Sequence, residues 1–75
     1  MTKEEILETL IRSATDKCKG TQGVIIIVAQ DSEHGFDMTA ATVNMNRDGA
    51  SICLRKLLEK HERGQTNGLI ITGRE

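Results

Sequence analysis

Gly23-Val24-Ile25-Ile26-Ile27-Val28-Ala29 decides how this chain folds. Val24 to Val28 are β-branched without interruption, which favours the pleated conformation over the helix. A strand with one wet face alternates apolar and polar residues, and this run offers no polar position. It is therefore expected to be a central strand over 23–30. Both of its faces are covered, or one of them meets another copy of the chain. The run is far too short for the ~18–20 residues of a membrane span.

Upstream of it, residues 2–19 read as an amphipathic helix. Thr2-Lys3-Glu4-Glu5 matches a capping box, with Thr2 as N-cap and Glu5 three positions on. Glu4, Glu5 and Glu8 stand at the positive end of the helix dipole, and Lys17 and Lys19 at the negative end. Ile6, Leu7, Leu10, Ile11, Ala14 and Cys18 recur at helical spacing. Gly20 is a stop suited to the left-handed conformation.

Downstream, Gln30 to Gly35 is a polar turn, and residues 36–45 read as a second strand, antiparallel to the first through a short hairpin, with a short helix as the alternative that the small residues Thr39-Ala40-Ala41-Thr42 leave open. Phe36, Met38, Ala40 and Thr42 fall on one side, and Asp37, Thr39, Ala41 and Val43 on the other. Asn46-Arg47-Asp48-Gly49 then turns the chain into a second helix over 49–63, with Asp48 as the expected N-cap. Ala50, Cys53, Leu54, Leu57, Leu58 and His61 share one face of it. Gly64 closes the helix, and Leu69-Ile70-Ile71-Thr72 reads as a third strand. The expected fold is a single small α/β (α+β) domain over 1–75. Its order is α-β-β-α-β, a two-layer sandwich of two helices against a three-stranded sheet. The third strand fits either parallel to the second, through a right-handed crossover, or antiparallel beside the first.

Composition narrows the functional classes. The chain has 75 residues, ten Lys+Arg against eleven Asp+Glu, and a net charge of -1, so bulk electrostatics draw it neither to nucleic acid nor to anionic membranes. Phe36 is the only aromatic residue, which leaves no platform on which to stack bases. The second helix carries Arg55, Lys56, Lys60 and Arg63, but Glu59 and Glu62 interrupt them, as on a solvated face. Nucleic acid and membrane are thus not expected partners.

The two cysteines, Cys18 and Cys53, make no disulfide framework, and the charged start Met1-Thr2-Lys3-Glu4-Glu5 is not a signal peptide. The chain reads as cytoplasmic with both thiols reduced. Cys18, His34, Cys53 and His61 lie too far apart in sequence for a preorganised metal site, and Asp31, Glu33, His34 and Asp37 lack the spacing of a calcium loop. Ser13, Ser32 and Ser51 sit in no nucleophile elbow. No catalytic residue, metal or cofactor is expected, and the chain does not read as an enzyme.

Two functional classes stay open. The first is a small interaction protein that acts as a homodimer or higher oligomer and contacts a further protein. A domain this small is marginal alone, and Ile25, Ile26 and Ile27 are the candidate interface. Its size is that of the reading frames that phages and mobile elements often carry as accessory proteins. The second is a module that binds or sequesters a small anionic ligand such as a nucleotide. Its candidate site is the turn Asn46, Arg47, Gly49 and Ser51, where a strand delivers the chain to a helix N-terminus, whose free N–H groups attract anions.

Overall fold

Thr2 opens the first helix as the capping box requires. The computed structural model describes residues 1–64 and Leu69, and in it the Thr2 hydroxyl accepts from the Glu5 N–H at 3.2 Å while the Glu5 carboxylate accepts from the Thr2 N–H at 3.0 Å. Helix α1 runs Lys3–Lys17 and ends on Cys18, whose N–H donates to the Ala14 carbonyl. Gly20 follows with φ +63° and turns the chain toward the sheet.

Strands β1 (Val24–Ser32) and β2 (Gly35–Val43) form an antiparallel hairpin. Its register runs unbroken from Val24↔Val43 to Ser32↔Gly35 around the turn at Glu33 and His34. Gly35, at φ +117°, supplies the backbone conformation that lets the chain re-enter the ladder. Strand β1 runs two residues beyond the expected 23–30, into Asp31 and Ser32, because ladder bonds are made by the backbone whatever the side chain. At the other end β2 stops at Val43, two residues short of expectation, since Asn44 takes φ +56° and leaves the strand.

Helix α2 runs Arg47–Glu62. Its N-cap is Asn46, whose side-chain oxygen accepts from the Gly49 N–H at 2.8 Å. This corrects the expected cap at Asp48. Both residue types cap well, and the reversal at Asn44 brings the chain into the helix early enough for Asn46 to take the position. Gly64, at φ +71°, closes the far end.

The result is a small α+β fold with two helices and, among the described residues, a two-stranded antiparallel sheet. It matches the expected α+β class, two helices and antiparallel hairpin, and shows two of the three expected strands. The third strand expected at 69–72 lies, Leu69 apart, outside the described residues. Helix α1 packs across both strands, whereas α2 makes only marginal contact with the other elements. Among the described residues only Leu7, on α1, and Ala50, on α2, are buried.

Candidate interaction surface

A strand's side chains alternate between its two faces, and the hairpin register sorts them without ambiguity. Val24, Ile26 and Val28 share a face with Thr39, Ala41 and Val43, and all six are half-buried. This is the face that α1 covers. Lys3 on α1 reaches Asp37, on the same side of β2, at 3.3 Å, and also pairs with Glu4 at 2.9 Å. Hydrogen bonding to Glu4 and then to Asp37 raises the Lys3 ammonium above its ordinary range. Reciprocally, the hydrogen bond from Lys3 holds the Glu4 carboxyl below its own range. The Glu5 carboxyl is also lowered, first by its bond from the Thr2 backbone.

The opposite face carries Ile25, Ile27, Ala29, Phe36, Met38 and Ala40. Ile27 is 50% exposed, Met38 62% and Phe36 67%. No described element lies flat on it. Helix α2 approaches only with its first half, leaving an open groove of about 430 Å³ whose walls include Ile25, Ile27, Ala40, Arg47, Ala50 and Leu54. The outer part of the α2 stripe is itself bare, with Leu54 39% and Leu58 57% exposed.

The three candidate interface residues are therefore divided. Ile25 and Ile27 face the groove, and Ile26 lies on the α1 side. A continuous apolar run hides this division. The alternation of β2 reveals it, since Asp37 and Thr39 mark one side and Phe36 and Met38 the other.

The turn at Asn46–Ser51 is arranged for its own backbone. Asn46 occupies the Gly49 N–H, and the Ser51 hydroxyl donates to the Arg47 carbonyl at 3.1 Å. A Cβ added to Gly49 would lie 3.2 Å from the Asn46 side-chain oxygen, so this glycine makes room for the cap. Arg47 is exposed and stands at the groove.

Asn44 is the residue whose role went unread. Its side-chain amide donates to the carbonyls of Gly20 at 3.1 Å and Gln22 at 2.6 Å, tying the α1–β1 connection to the start of the α2 approach. Asn tolerates the left-handed conformation better than most non-glycine residues, which was the available signal. Close by, Gly23 passes under Met45, and a Cβ there would lie 2.9 Å from the Met45 methyl.

Cys18 and Cys53 are both free thiols. Among the described residues, no group of three or more His, Cys, Asp or Glu side chains is placed to hold a metal ion, and no helix is long and apolar enough to cross a membrane. Comparison with protein-family models, curated proteins and solved structures finds no match to this chain.

Proposed function

We propose that this chain is a small non-enzymatic interaction protein that works as a homo-oligomer. It associates through the bare face of its hairpin and leaves its outer surface to engage a further protein. One observation carries the reading: Ile27, Met38 and Phe36 stand half or more exposed on a single sheet face, and Leu58 on the nearby helix is 57% exposed. Isolated exposed apolar residues are ordinary, but a contiguous apolar patch marks a contact surface. Burying an aliphatic side chain of this size contributes ~1.5–3 kcal/mol, so a few of them per subunit favour association.

The free thiols fit a reducing compartment such as the cytoplasm.

The anion-binding alternative has less support, because the turn spends its Gly49 N–H and Ser51 hydroxyl on internal bonds. Native mass spectrometry of the purified protein tests both readings at once. A mass at a multiple of 8.3 kDa with nothing retained is the expected result. A single-chain mass overturns the homo-oligomer, and a retained small anion would favour the alternative.

A further inference from the structure

Resting on the homo-oligomer reading, we propose that the bare sheet face is covered by helix α2 of a second copy, exchanged reciprocally. Leu58 of each chain lies over Met38 and Phe36 of the other, across a twofold axis.

Two observations converge on this occupant. The first is shape. Helix α2, of 16 residues, is ~24 Å long, and the nine-residue strands are ~30 Å long. The half of a partner's α2 beyond Leu54 is thus long enough to cover the hairpin end of the face, which the chain's own α2 does not reach. In its own chain α2 meets the sheet only near its N-terminal half, at Arg47, Ala50 and Leu54. The hairpin end of the face and the outer helical stripe remain open, and each is the kind of surface the other lacks.

The second is charge. The hairpin end carries Asp31 and Glu33 with no lysine or arginine between 30 and 38. The stretch 55–63 of α2 and its cap carries Arg55, Lys56, Lys60 and Arg63 against Glu59 and Glu62. That basic excess sits at the negative end of the helix dipole, where it is favoured. Laying α2 of one chain along the partner's sheet toward the hairpin brings the basic end of the helix to the acidic turn.

An isologous exchange makes every contact twice and closes on itself, so no apolar face is left to propagate a fibre.

The test is site-directed disulfide formation between two distinguishable chains. In a Cys18→Ser, Cys53→Ser background, one chain carries Met38→Cys and the other Leu58→Cys. Both positions are more than half exposed, so neither substitution removes a core side chain. Mild oxidation of the mixture is expected to yield a covalent heterodimer as the main product, and neither chain alone should cross-link. Self-linking of the Met38→Cys chain would show stacked sheets and overturn the exchange while leaving the homo-oligomer standing. A dimeric mass by light scattering with no disulfide in the mixture would do the same. A monomeric mass would overturn both.

Should the cysteine replacements unfold the chain, the unsubstituted protein serves. A one-to-one mixture of nitrogen-14 and nitrogen-15 chains is treated with a carbodiimide. The exchange requires mixed-isotope links from Lys60 to Asp31 or Glu33. Finding those links only within single-isotope chains overturns it.

Discussion

Ile26 and Ile27 are chemically identical neighbours, yet they live in different worlds. Ile26 is half-buried on the face that α1 covers, and Ile27 is 50% exposed on the face that no described element covers flat. The contrast extends to the two helices. Helix α1 is closed by a full capping box, lies across both strands and is fastened to β2 through Lys3 and Asp37. Helix α2 has a single side-chain cap bond, at Asn46, and is barely packed. Caps and propensity make a helix, but an apolar face needs a partner to become part of a core. One side of this hairpin has found its partner in α1, and the other has none among the described elements.

If the α1 side is the true core, the largest loss of stability should come from there. Leu7→Ala is expected to destabilise the fold by about 2–4 kcal/mol, read from denaturant unfolding followed by circular dichroism. A loss below about 1 kcal/mol would mean that α1 is not the anchor and would erase the contrast.

The connection between the two sides is the next point to break. Asn44→Ala forfeits two hydrogen bonds and places a Cβ-restricted residue at φ +56°, at an expected cost of about 1–2 kcal/mol. Asn44→Gly keeps the conformation and should recover part of that loss. Equal destabilisation by both would show that the hydrogen bonds, not the backbone angle, carry the effect.

A smaller effect sharpens the comparison of the helices. Asn46→Ala removes the α2 cap and should cost that helix about 1 kcal/mol. Because α2 is loosely coupled to the rest, faster hydrogen exchange should be confined to residues 47–62 and spare α1 and the sheet. Uniform acceleration throughout the chain would contradict the loose coupling.

The smallest effect is the pH dependence of the α1 terminus. Glu4 and Glu5 have folded-state carboxyls below their ordinary range. Their contribution is therefore complete at neutral pH and fades as pH falls through and below about 4. Lys3 is raised, so its share is complete at neutral pH and is lost only above the ordinary lysine range. A modest fall of melting temperature in acid, abolished by Glu4→Gln with Glu5→Gln, is the expected signature.

Much of the α1 side was legible in the sequence because its signals are local. Thr2 and Glu5 stand three residues apart, and the helical stripe repeats within one turn. The hairpin was legible as well, since β2 alternates and Gly35 marks the turn. The α2 side was less so. Asn46 and Asp48 are equally plausible caps two residues apart, and the choice between them depends on Asn44, whose bonds reach back more than twenty residues to Gly20 and Gln22. The run Val24–Val28 conceals its own faces because every position is apolar, so only pairing with β2 separates Ile26 from Ile25 and Ile27. The packing of α2 eluded the sequence for a plainer reason: an apolar stripe shows that a helix will be covered, not by which chain.

That the bare face of the hairpin is an interface between copies is tested most directly by light scattering coupled to size exclusion at micromolar concentration, on the unmodified chain and on Ile27→Lys. The unmodified chain is expected at twice 8.3 kDa or a higher multiple, and Ile27→Lys at 8.3 kDa with an unchanged circular dichroism spectrum. An unmodified chain that runs at 8.3 kDa, or an Ile27→Lys chain whose mass does not fall, would contradict it.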